Sequence, residues 1–160
     1  MDVILLEIKD IKGNSLIKGM TNQITLLSLS HGVSLPMQHD VSQSNRTMGK
    51  PIFQEINCSK ESDLATPVLY DYCTQGKTMG NVKIHVGRNE NDTYMPLLEY
   101  VLFDAFISNI STSVGGPPHD SFSINFTKIT MDYTVQKPDS SNKGKTSYVW
   151  NLKTNSTKDS

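Results

Sequence analysis

The stretch from Tyr94 to about Ser113 is apolar on both faces, with Leu98, Tyr100 and Leu102 on one side and Leu97, Val101 and Phe103 on the other. Successive strand residues point to opposite faces, so such a strand has to be covered twice, by a sheet core and by a helix or a neighbouring subunit. Gly115-Gly116-Pro117-Pro118 breaks it. Before it, Val82, Ile84 and Val86 alternate with Asn81, Lys83 and His85, a half-buried strand, and Asn89-Glu90-Asn91-Asp92 supplies hairpin turn chemistry between the two.

The rest of the chain reads the same way. Val3 to Ile11, Gln23 to Leu29 and Ile52 to Ile56 are short strands; in the second, Ile24, Leu26 and Ser28 are expected on one face and Leu27 and Leu29 on the other. One helix is marked, about Pro67 to Gln75. Thr66 is expected as its N-cap, Leu69, Tyr72 and Cys73 as its buried stripe and Gly76 as its stop. Further on, Phe122, Ile124 and Phe126 are even-numbered whereas Ile129, Met131, Tyr133 and Val135 are odd. A β-bulge near Thr127-Lys128 would reconcile the two sets, with Phe126 and Tyr133 both in the core. Tyr148 to Leu152 stands as a lone β-like patch before a polar tail at about 153–160.

Between Ser30 and Pro51 hydrophobic periodicity disappears for about 20 residues, and loops of that length in compact domains are usually functional. Its apolar residues Val33, Leu35 and Met37 alternate on one face if extended. With His31 and Pro36 they form the candidate subunit interface.

Composition narrows the function. The 160 residues suit one domain with a real core. Fifteen Lys+Arg against sixteen Asp+Glu leave a net charge of −1, which argues against a nucleic-acid binder. No run approaches the ~18 apolar residues of a membrane span, and the start, Met1-Asp2-Val3, has an acid where a secretory signal carries cations. Cys58 and Cys73 are too few for a disulfide scaffold. The four histidines show no HxH or HExxH spacing, so neither a metal nor a cofactor is expected. Glu99 and Asp104 differ in parity and would face opposite ways on a regular strand, which removes the one apparent acid–base pair. Six Asn-x-Ser/Thr triplets reflect Asn and Ser/Thr abundance. An enzyme is not expected.

These landmarks, taken in order, resemble one family: Hcp, the haemolysin-coregulated protein that builds the inner tube of bacterial type VI secretion systems. Ser30-His31-Gly32-Val33-Ser34-x-Pro36-Met37 resembles the family's entry into its long loop. Lys60, Ala65-Thr66-Pro67-x-Leu69 and Cys73-x-x-Gly76-Lys77 resemble its helix, and Val82-x-Ile84 with Arg88 and Tyr94-Met95 its central hairpin. Ser121 to Ile129 with Tyr133-Thr134-x-Gln136 is the most specific match, and Trp150-Asn151-Leu152-Lys153-x-Asn155 resembles the C-terminal segment.

The resemblance implies a single domain over 1–160, mainly β, a small β-barrel of two packed antiparallel sheets with one short flanking helix. It further implies homohexameric rings that stack into a tube, propelled by a contractile sheath behind a spike protein and able to carry small effector proteins. Such a protein is made in the bacterial cytoplasm and secreted without a signal peptide. With about eight residues after Leu152, no fused enzymatic domain is expected. A soluble β-sandwich or barrel binding module without tube assembly is the competing expectation.

Overall fold

A computed structural model describes residues 2–36, 49–136 and 142–157. In chain order the elements are β1 (Asp2–Glu7), β2 (Ile24–Leu26), β3 (Ser28–Ser30), β4 (Val33–Ser34), β5 (Ile52–Phe53), β6 (Ile56–Glu61), α1 (Ala65–Gln75), β7 (Gly80–Glu90), β8 (Thr93–Ser113), β9 (His119–Asn125), β10 (Lys128–Gln136) and β11 (Asn142–Asn151). The main path runs β2-β1-β7-β8-β9-β6-β3; β10 joins it beside β8 and carries β11, while among the described residues β4 and β5 pair only with each other. Every strand pair is antiparallel.

The 21-residue β8 organises this path. Its first half pairs with β7 and β10, its second half, from Phe106 onward, with β9. The two halves meet at Asp104, a non-glycine residue at φ 52°. One extra residue there moves the buried positions from Tyr100 and Leu102 to Ala105 and Ile107, as a bulge does. On the other face, expected to be covered as well, Leu97, Val101 and Phe103 are half-buried. The turn at Asn91 and Asp92, φ 50° and 59°, closes the β7–β8 hairpin as its residue types require. Leu6, Ile24, Ile56, Leu69, Val82, Ile84, Leu102 and Ile124 are fully buried in one core, and each such side chain contributes roughly 1.5–3 kcal/mol by leaving water.

Several expectations need correction. The parity change between Phe126 and Ile129 is not a bulge inside one strand. The chain leaves β9 at Asn125 and enters β10 at Lys128, so the two sets belong to different strands. Tyr133 lies beyond the covered part of β10 and is 45% exposed, whereas Phe126 is 7% exposed. The strand expected from Gln23 to Leu29 breaks at Leu27, whose N–H bonds to Ser59 O at 2.7 Å. That break turns Ser28 outward and Leu29 onto the core. Ile52 to Ile56 likewise splits between β5 and β6.

The helix begins at Ala65, two residues early, and its cap residue Leu64 makes no side-chain bond. Asp63 does the capping work instead. Its Oδ1 accepts the Ala65 N–H at 2.9 Å, while its own N–H donates to Thr66 Oγ1 at 3.0 Å, a reciprocal arrangement. Gly76, at φ 62°, ends the helix as expected. Tyr148 to Asn151 is not a lone patch but part of β11, in register with β10. The start of the tail is tied back, with Leu152 N–H on Thr127 O at 2.8 Å and Asn151 bridged to Ser156; residues 158–160 lie outside the described residues.

Candidate assembly and cargo surfaces

The outer face of β3, β6, β9 and the second half of β8 is built from small polar side chains in two rows. Ser28, Ser59, Ser121 and Ser111 stand opposite one another across the four strands, and Ser30, Asn57, Ser123 and Asn109 form the next row. A shallow groove of about 300 Å³ follows these rows. Within it the Ser28 and Ser59 hydroxyls bond to each other, and Ser123 Oγ donates to Asn57 Oδ1 at 2.7 Å. Neither row contains a charged residue. Nothing in the one-dimensional pattern singles out these serines and asparagines as one surface. Their signal was the alternation Asn57-x-Ser59, Asn109-x-Ser111 and Ser121-x-Ser123, readable as a face only once the strands are paired.

The long loop opens as an arm. β4 and β5 pair Val33 with Phe53 and Ser34 with Ile52, and the ladder is extended by Gln54 N–H to Gly32 O and Gly49 N–H to Pro36 O, both at 2.9 Å. Val33 is 56% exposed, Leu35 43% and Ile52 57%. A hydrogen-bonded ribbon holding apolar side chains in water is the pattern of a contact surface. His31 sits at the arm's base and points to the body, its Nε2 3.0 Å from Tyr100 Oη with the rings edge-on at 5.0 Å. Burial pushes the His31 pKa down and that of Tyr100 up. Val33, Leu35 and Pro36 therefore share the arm while His31 anchors it; Met37 lies outside the described residues.

Beneath the polar rows lies a buried ionic cluster. Lys60 and Asp120 are fully buried, with Nζ 2.8 Å from Oδ2. Lys60 Nζ also reaches Asp63 Oδ1 at 2.8 Å and Thr66 Oγ1 at 2.9 Å. Asp120 accepts further bonds from Thr66, Thr112 and Ser62. Burial alone would raise its pKa, but the bonds from Lys60, Thr66, Thr112 and Ser62 outweigh it and bring the carboxyl down to about 2. Sequence reasoning misses this inward-facing lysine; the signal that could have found it is the alternation Ile56-x-Cys58-x-Lys60.

The remaining titratable groups are scattered. His85, expected on the outer side of its strand, is 8% exposed and lies 2.9 Å from Glu7 Oε2 and 3.7 Å from Glu99 Oε2. Asp104 accepts from Thr127 Oγ1 at 3.1 Å and lies 3.5 Å from Lys153. Cys58 is buried, its thiol pushed up to about 12 by that burial. Among the described residues no three His, Cys, Asp or Glu side chains are grouped to hold a metal ion, and no helix is long and apolar enough to cross a membrane.

Comparison with known proteins decides the family. The family model described as "Type VI secretion system effector, Hcp" matches residues 5–133. The chain belongs to the Hcp family. It is 26% identical over 154 residues to Protein hcp1 of Pseudomonas aeruginosa, covering 94% of each chain. Among solved Hcp-like structures it resembles one described as a type six secretion system protein, with a TM-score of 0.91, 17% identity and coverage of 99% and 100% of the two chains. Hcp1 from Salmonella typhimurium follows with a TM-score of 0.78, 20% identity and 96% coverage of each. The Hcp segment Ser121 to Ile129 supplies Ser121 and Ser123 to the polar rows and Phe122, Ile124 and Phe126 to the core.

Proposed function

We propose that this chain is a tube subunit whose six-membered rings stack into a tube, with the Ser/Asn rows of β3, β6, β9 and β8 lining the bore. The two rows carry the reading: eight side chains on four strands, none charged and none larger than Asn, with Glu61 and His119 at the rim beyond them. A bore that passes unrelated proteins needs groups that bond weakly to any surface, whereas a strong charge would hold some passengers and repel others. Ser30 to Ser28 and Phe106 to Ser113 edge this sheet, and among the described strands each pairs on one side only. A neighbouring copy can continue the rows there. The net charge of −1 lets subunits crowd together without strong self-repulsion.

The arm is the stacking contact, with Val33, Leu35 and Pro36 meeting a subunit of the next ring and His31 fixing the base. The tube is driven by a contractile sheath behind a spike and carries small effectors in its bore, leaving the bacterial cytoplasm without a signal peptide. The subunit acts by assembly alone, with neither a reaction nor a cofactor.

Electron microscopy and light scattering of the purified protein test this. Rings with an open centre are expected, and Ser121→Arg with Ser123→Arg should leave rings intact while abolishing passenger retention. Monomer at every concentration and salt, or compact particles, would move the protein to the class of soluble β binding modules.

A further inference from the structure

Lys60 and Asp120 are directly opposite in the β6–β9 register, and both point inward. On the outer face the same strands offer Asn57 and Ser59 against Ser123 and Ser121, with the solvent-exposed pair Glu61 and His119 beyond them. That face can hardly tell one alignment from another. Side chains alternate with a period of two, so sliding β6 by two residues keeps the small polar groups outside and sets Ser59 against Ser123. The apolar inner pairs discriminate weakly as well, because Cys58 would exchange Phe122 for Ile124. The ionic pair behaves differently. The same slide places Lys60 opposite Phe122 and Asp120 opposite Ser62, leaving two charges unpaired in the core, which is strongly unfavourable.

We infer that the Lys60–Asp120 pair is a register lock, selecting one alignment of two strands whose outer faces are nearly interchangeable. Through Asp63 and Thr66, which share the Lys60 ammonium, the same point fixes where α1 begins. The pair is a positioning device for the rows Ser59–Ser121 and Asn57–Ser123. Its purpose rests on the bore reading, but its operation within one subunit does not. Buried ion pairs replaced by apolar pairs of similar volume usually leave stability unchanged or higher. The lock therefore has a signature distinct from a stabilising contact: its removal loosens register without loosening the fold.

Two cysteine reporters in a Cys73→Ser chain read this directly. Ser59→Cys with Ser121→Cys marks the native alignment, and Ser59→Cys with Ser123→Cys marks the slipped one; facing positions can be bridged by a disulfide, diagonal ones are too far apart. With Lys60 and Asp120 present, oxidation should link only the native pair. In Lys60→Met/Asp63→Asn/Asp120→Leu, which leaves no carboxylate of the cluster without its cation, the slipped link should rise about tenfold while the melting temperature stays near the parent value. Native-only linking in the apolar variant, or a large melting loss with no slipped product, overturns the lock. If that variant is insoluble, Lys60→Gln/Asp120→Asn is read with the same reporters: slipped product supports the lock, its absence overturns it. Failure of the wild-type chain to form rings would overturn the tube reading and leave this result standing.

Discussion

Phe53 lies stacked on Trp150, ring centres 6.2 Å apart and planes 27° from parallel, and this contact joins the arm to β11. Phe126 meets the same Phe53 ring edge-on at 6.4 Å. The arm is thus hinged on an aromatic cluster while Val33 and Ile52 beside it stay exposed. Aromatic pairs of this kind contribute about 0.5–1.5 kcal/mol beyond their buried area. Phe53→Ala should lower the melting temperature modestly, leave rings intact and abolish tubes, as thermal melts and electron microscopy will show.

The exposed side of the arm should behave in the opposite sense. Leu35→Ser with Ile52→Ser removes no core contact, so stability should change by no more than about 0.5 kcal/mol per site. Rings should persist while tube formation and secretion fall. Secretion at the wild-type level in this double variant would remove the arm from the stacking contact.

Phe126 and Tyr133, which the alternation places together, should now separate. Phe126→Ala leaves a cavity in the core and should cost about 3–5 kcal/mol, enough to deplete soluble protein. Tyr133→Ala, at a half-exposed site, should cost under about 1 kcal/mol. Urea titration of both variants checks the ordering.

Asp120 gives the acid limb of stability a definite sign. Its carboxyl is held down to about 2 in the fold, below the unfolded value of about 3.9, so its contribution of roughly 2–3 kcal/mol is complete above pH ~4 and is lost as pH falls toward 2. Asp120→Asn should flatten the stability profile across that window and, by leaving Lys60 buried without its carboxylate, cost about 3–5 kcal/mol at neutral pH. A parallel pair of pH profiles for parent and variant would contradict this.

Much of this molecule is legible from alternation and punctuation. The extent of β8, the β7–β8 turn and the Gly76 stop follow from side-chain period and glycine chemistry. What escaped depends on pairing between distant segments. β4 and β5 are two residues each, too short for any pattern, and exist because each completes the other's hydrogen bonds. The even-to-odd change after Phe126 is a change of strand partner, which a one-dimensional pattern cannot separate from a bulge. The polar rows are invisible for a similar reason, since Ser and Asn at alternate positions become a surface only when four strands lie side by side. Lys60 defeats residue-type reasoning because an ammonium is buried only where partners from three other segments surround it.

The corner at Asp104 has a mechanical consequence. Because β8 passes through it unbroken, the strand set beside β7 and β10 and the strand set carrying the polar rows are joined covalently in mid-strand. A force along β8 is taken by backbone bonds and by hydrogen bonds sheared together, a geometry that resists rupture better than bonds opened one at a time. A subunit driven abruptly along that direction would move as one rigid piece, and any yielding would begin at the arm.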